Sequence, residues 1–420
     1  MAGSLRRQID LYLNNLFHRS IGLKENMSVI IHHGSIVTPN KTIKDGYVFV
    51  NDAGIISQIG ERLPVGVQAS QTIDLQGNTL IPGLLDIHLH GGCGVNFEKD
   101  YQPEVIAPLN NHLAAQATTA YLRTFCAAAK PELEALLLAH AESLKVESSG
   151  ARCFGFHLEG PFLSQQKRGA FNPEWLHAPE LSEVREYIAL GQGYIRQVTL
   201  APELDNAFET AAYLNQVGVV AAFGHTNASF ELAIEAFNGN FRHVTHVFNA
   251  MSSFNHRNPG AVGAVLLSKM VTAELIADFV HVHPQAIQLL INSIGLQRIV
   301  LITDAMAAAG MQDGVYDLAG QSVHVCNHTA RLEDGTLAGS VATLLECVQN
   351  MVCKVGVSLR EAVNMASINP ARAMHLAHIT GSIEVNKSAD LVILDQDLSP
   401  VQTMVKGKVV YSRESNALNS

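Results

Sequence analysis

From Met27 onward the chain alternates between short apolar, β-prone runs and stretches in which apolar residues recur at helical spacing. The short runs fall at Leu84–His88, Thr119–Phe125, Cys153–Leu158, Gln197–Ala201, Val219–Gly224, His243–Val247, Ala273–Asp278 and Ile299–Thr303. Helical patterns include Ala135–Leu144, Phe230–Phe237 and Leu359–Met365. Strands that alternate with helices at a spacing of roughly thirty residues favour parallel pairing, and this count over this length predicts an α/β chain folded as a (β/α)8 TIM-type barrel. A doubly wound open sheet shares the alternation, but gives no reason for polar residues at so many strand ends.

The two ends of the chain follow a different rhythm. VIIHHGSIVTP and GYVFVNDAGIISQIG read as strands, with a hairpin turn at Asn51-Asp52-Ala53-Gly54, and Ser388–Leu394 and Thr403–Tyr411 repeat the pattern after Gly381. Exposed strand edges need partners, so both ends are expected to build one small β-sandwich domain. The expected organisation is an N-terminal extension at 1–26, sandwich segments at 27–80 and 380–412, the barrel at 81–379 and a tail at 413–420.

Composition supports a globular chain: 420 residues, 47% hydrophobic and 16% charged, are enough for one large domain and one small one. A formal net charge of −10 with no basic stretch argues against nucleic-acid or anionic-membrane surfaces, so an anionic ligand needs a local site. The six cysteines form no C-x-x-C pair and read as reduced, which points to the cytoplasm. Asp10, Asn14 and Asn15 interrupt what would be the apolar region of a secretion signal, and no run approaches a membrane span.

The chemistry gathers at the strand ends. In IPGLLDIHLHGG (81–92), His88 and His90 are two residues apart on a strand and share one side. They are either a hydrogen-bonded pair or metal ligands. Glu159 follows the third run, His225 the fifth, His246 lies at the end of the sixth and Asp304 follows the eighth. A barrel brings all such ends to one rim, and buried polar groups without partners cost a few kcal/mol each, so the convergence points to a metal site.

The strings HLEGPF (157–162), GHTNA (224–228), THVFNAM (245–251) followed by Arg257, and TDAMAAAG (303–310) carry a resemblance to the amidohydrolase superfamily, from about Met27 to Tyr411. Within it, the chain resembles the deacetylases of phosphorylated amino sugars. The resemblance implies that Glu159, His225 and His246 hold the principal divalent metal, and that Asp304 is the catalytic acid/base. His88 and His90 make a second metal geometrically possible, with Glu159 bridging; otherwise they only hydrogen-bond Asp304 or water. One or two ions per subunit are expected, zinc first, with iron, cobalt or manganese as alternatives.

The same resemblance places His281 on the substrate carbonyl and reads His283 as structural. It places the phosphate on Asn249, Ala250 and Arg257, although Arg257 by itself reads rather as a solvated loop charge, and only its position after THVFNAM turns the reading to phosphate. Leu337, Ala338 and Gly339 match a loop that lines the sugar pocket, and Ala170 and Phe171 match a substrate loop. His157 is expected to point away from the rim and pack beneath it. The implied reaction is hydrolysis of N-acetyl-D-glucosamine 6-phosphate to D-glucosamine 6-phosphate and acetate by a homodimer, with Arg257 near the subunit interface. The galactosamine epimer as substrate and a non-catalytic binding protein are the alternatives. A cyclic-amide hydrolase fits less well, because Glu159 stands where such enzymes use a carboxylated lysine.

Overall fold

A computed structural model of the chain describes residues 28–413; the extension expected at 1–26, and all but the first residue of the expected tail, lie outside the described residues. Eight strands pair in parallel and in sequence order: Leu84–Leu89, Thr118–Cys126, Arg152–Glu159, Ile195–Leu200, Val220–Phe223, His243–Val244, Thr272–Ile276 and Ile299–Ile302. Beyond its last strand the chain meets the first one again. Asp304 N donates to His88 O at 2.9 Å, and Leu89 bridges to Ala305. The sheet therefore curls into a nearly closed barrel, and every C-terminal strand end faces the same rim.

Local sequence explains the connecting helices. Phe230–Asn238 starts at Ser229, whose hydroxyl accepts Leu232 N, and Leu359–Met365 starts with a reciprocal Ser358/Glu361 capping box. The sixth strand is shorter than the apolar run His243–Val247, because the backbone leaves extended geometry at His246.

Eight further strands from the two ends join into a second sheet. Thr79–Pro82 pairs antiparallel with Leu391–Leu394 and ties the N-terminal strands Val29–Val37, Thr42–Val50, Ile56–Gly60 and Gln71–Asp74 to Pro400–Val405 and Lys408–Ser412. Val29, Ile31, Ile36, Val48, Val50, Ile56, Leu391 and Ile393 form part of its own apolar cluster. The turn expected at Asn51–Gly54 is present, with Gly54 N donating to Asn51 O and Gly54 at a positive φ.

One element was not anticipated. Gly314–Leu318, Gln321–Cys326 and Thr329–Arg331 form a three-stranded antiparallel sheet after the last barrel strand. Its inward residues Leu318, Val323 and Val325 pack with Phe171, Met306 and Ala338. The alternation in QSVHVC was the available signal, but strands this short give too few alternations to be told from a loop.

Candidate metal centre

Six of the residues singled out from sequence meet at the barrel rim. Glu159 Oε1 lies 3.2 Å from His225 Nε2 and 2.9 Å from His246 Nε2, and the two imidazole nitrogens are 3.0 Å apart. The other carboxylate oxygen turns the opposite way: Glu159 Oε2 lies 3.3 Å from His88 Nε2 and 3.1 Å from His90 Nε2. Asp304 Oδ1 completes that side, 3.5 Å from His88 Nε2 and 3.2 Å from His90 Nε2. Glu159 thus divides its oxygens between two histidine pairs. All six are buried, and Asp304 retains a little exposure towards solvent.

Backbone geometry aims these side chains. His225, His246 and Asp304 have φ values of 45°, 26° and 52°, a left-handed region that residues with a Cβ seldom occupy. At each of them the chain turns out of its strand or strand end into the following loop. Strain of this kind persists only where the surroundings over-determine it.

The tautomers test whether a cation fits. His225 Nδ1 lies 2.8 Å from Lys167 O, and a carbonyl can only accept, so Nδ1 carries the hydrogen and a neutral ring presents the lone pair of Nε2 to Glu159 and His246. His88 Nδ1 is held 2.9 Å from Glu274 Oε2 in the same manner. Its Nε2 is buried, faces two carboxylates and makes no hydrogen bond. Lone pairs turned towards carboxylate oxygens need a positive charge between them. The triangle of Glu159 Oε1, His225 Nε2 and His246 Nε2 is also small enough for one ion at ordinary ligand distances of about 2.0–2.2 Å. The donor set fits a divalent metal.

Electrostatics agree. Burial pushes the Glu159 carboxyl up, but His88, His225 and His246 outweigh it and hold it well below the usual range. Burial likewise opposes charge on His90, yet Asp304 and Glu159 push its pKa up to about 10. A cluster that would otherwise collect protons on its histidines is one in which a cation can replace them.

Other expected residues lie around this centre. Phe171 is buried, its ring centroid 5.0 Å from that of His225, and Ala170 is buried beside it. Asn249 N donates to His246 O, and Ala250 O accepts Thr226 N, so this turn adjoins both histidines of the first pair. Ser340 N donates to Asp304 O at 2.7 Å, and a Cβ on Gly339 would stand 3.0 Å from that same oxygen, which brings the Leu337–Gly339 turn against the acid/base candidate. Arg257 is exposed, with Nη1 on His256 Nε2 at 2.9 Å, and makes no hydrogen bond to the cluster. His283 caps the helix Pro284–Ile294, its ring accepting Gln285 N.

One expectation is corrected. His157 and Glu159 are two apart on a strand, so alternation puts them on the same side, not opposite sides. His157 does pack beneath the rim, but inside the barrel, with Nε2 2.8 Å from Thr199 Oγ1 and its ring 4.5 Å from that of His88.

Three contributors were missed. Glu274 lies in the seventh barrel strand, fully buried, where a single charge in the run TAELI was the only signal. Cys126, at the end of the second strand, places Sγ 3.3 Å from His90 Nδ1. Asp278 Oδ2 takes His281 Nδ1 at 2.7 Å, while its Oδ1 accepts the backbone N–H groups of Val280 and His281.

The position of Phe171 gives a stability test. Phe171→Ala should cost about 3–5 kcal/mol by opening a cavity beside His225, read as a lower denaturation midpoint. A residue that served only to stack on a sugar would raise KM and leave the midpoint unchanged.

A barrel with this histidine, glutamate and aspartate rim defines the class: residues 79–410 match the Amidohydrolase family, and the chain belongs to that family. It is 36% identical over 395 residues to the N-acetylglucosamine-6-phosphate deacetylase of Bacillus subtilis, covering 93% of this chain and 99% of the relative. It is also 36% identical over 383 residues to the N-acetylgalactosamine-6-phosphate deacetylase of Escherichia coli, covering 91% and 99%. Its fold matches the N-acetyl-D-glucosamine-6-phosphate deacetylase of Mycobacterium smegmatis, solved as a mutant in complex with N-acetyl-D-glucosamine-6-phosphate. That match has a TM-score of 0.85 and 32% identity, and covers 92% of this chain and 100% of the other.

Proposed function

We propose that this enzyme hydrolyses the acetamido bond of N-acetyl-D-glucosamine 6-phosphate to acetate and D-glucosamine 6-phosphate. The observation that carries the reading is the shared carboxylate: Glu159 faces two histidine pairs, and Asp304 stands beside it with a route to solvent. Glu159, His225 and His246 would hold a divalent ion, which supplies Lewis-acid polarisation and lowers the pKa of water. Asp304 accepts the proton of the attacking water and returns it to the nitrogen, which must be protonated before the C–N bond breaks. His281 has Nδ1 committed to Asp278, so Nε2 is the nitrogen left to meet the carbonyl oxygen.

The phosphate falls to the backbone and side chain of the Asn249–Ala250 turn and to Arg257, a guanidinium suited to a dianion in an acidic protein. Leu337, Ala338 and Gly339, with Ala170 and Phe171, border the sugar. Arg257→Ala should raise KM for the phosphorylated sugar about tenfold or more, and for unphosphorylated N-acetylglucosamine hardly at all, since a charge-assisted contact to phosphate contributes about 1.5–3 kcal/mol. Equal effects on both substrates would remove Arg257 from the phosphate site.

Finer points complete the proposal. The ion is zinc, with room for a second at His88, His90 and Asp304. The location is cytoplasmic, in keeping with six unpaired cysteines. The terminal unit, over 27–80 and 380–412, is a sandwich beside a barrel over 81–379. The enzyme is a homodimer, supported by the exposed apolar Phe254, Leu267 and Met270 around the segment that carries Arg257. The E. coli relative favours the galactosamine epimer as the second reading. Acetate release from a panel of phosphorylated N-acetyl sugars decides: preference for the glucosamine compound supports the proposal, preference for its epimer replaces it, and release from neither sinks both.

A further inference from the structure

The barrel carries a polar layer directly beneath the rim, and one carboxylate ties it together. Glu274 Oε2 takes His88 Nδ1 at 2.9 Å and the backbone N–H of His246 at 3.1 Å; Glu274 Oε1 takes Gln197 Nε2 at 2.8 Å and His243 Nε2 at 3.0 Å. Gln197 and His243 connect the layer to His157 and Thr272, at 3.2 and 2.6 Å. Glu274 is wholly buried and faces neither Asp304 nor the open side of the centre through any hydrogen bond.

We infer that Glu274 is a positioning residue that makes the His88/His90 side of the centre able to hold its own cation. The inference rests on the two-cation form of the proposed function, not on the deacetylase reaction itself. A carboxylate only accepts, so a hydrogen on His88 Nδ1 is fixed by Glu274 and the lone pair is left on Nε2, the atom that faces Glu159 Oε2 and Asp304 Oδ1. The negative charge of Glu274 also makes that ring a stronger donor to a metal. His90 has no equivalent support: its Nδ1 meets the Cys126 sulfur at 3.3 Å, a weak partner. The first ligand set is built differently, since His225 leans on a backbone carbonyl that no side-chain substitution removes. Glu274 also accepts the backbone N–H of His246, but that contact reaches the main chain and not the ligating ring, so loss of Glu274 should fall mainly on the His88 side of the centre.

The test is titration of the metal-free, full-length protein with Mn²⁺, reading unbound ion by electron paramagnetic resonance. Wild type is expected to take up two equivalents per chain. Glu274→Gln should keep one tight equivalent and bind the second about 10–100-fold more weakly. Should that variant not fold, Glu274→Asp, which keeps the charge but withdraws it from His88, should weaken the second equivalent alone. A purely structural role would lower the melting temperature without separating the two equivalents. Two equivalents at wild-type affinities in the folded variants overturn the inference, and so does loss of both, which would mean general collapse of the centre. A wild-type protein that takes up only one equivalent overturns the two-cation form and this inference with it, while acetate release would still stand as the readout of the reaction.

Discussion

Asp304→Asn is expected to lose acetate release by about 10²–10⁴-fold, towards the upper end, while keeping the ion of the Glu159, His225 and His246 set. Asparagine keeps the shape of the side chain and an oxygen that can lie near His88 and His90, but it neither accepts nor returns a proton at neutral pH. The first ligand set, Glu159, His225 and His246, does not include Asp304, so that ion should remain. Removing the group proposed as base and then as acid should suppress both halves of the reaction. The check is kcat together with metal per chain by mass spectrometry. Turnover near the wild-type rate with at least one metal per chain would show that another group moves the proton.

The second large effect concerns Glu159. Because its two oxygens face different histidine pairs, Glu159→Gln should weaken both cations at once, whereas a change on one side, such as His225→Asn, should spare the other. Activity should fall to the level of chelator-treated protein. Thermal unfolding gives an independent readout. An ion present at 100–1,000 times its Kd stabilises the folded chain by about 2.7–4.1 kcal/mol, so added metal should raise the wild-type midpoint and leave that of Glu159→Gln unmoved. Loss of a single equivalent would mean that the carboxylate serves one side only.

Both predictions depend on side chains that local sequence could identify but not arrange. The apolar runs and their helical partners were legible because burial imposes a period on the chain, and Leu359–Met365 matches its helix to the residue. Ligand-type residues at successive run ends were legible as well, since Glu159, His225, His246 and Asp304 interrupt or follow stretches that would otherwise be wholly apolar. Residues inside the runs were harder to read. Glu274 and Gln197 look like isolated polar positions within strands, and their partners lie far off in sequence: His88 is 186 residues from Glu274. The cover over Phe171 was hidden for a similar reason, because three short strands leave too few alternations to stand out from a loop.

The sequence by itself determined where the barrel strands and the strands of the two chain ends lie and which residue types stand at the barrel strand ends, because both follow from the periodicity of burial along a chain. Only the tertiary structure decided who shares whom. Curling of the sheet brings the chain after the eighth strand back to the first, so Asp304 N reaches His88 O and one glutamate from the third strand stands between two histidine pairs. That allotment depends on barrel closure and on left-handed turns at His225, His246 and Asp304, and no local pattern encodes distances across a ring.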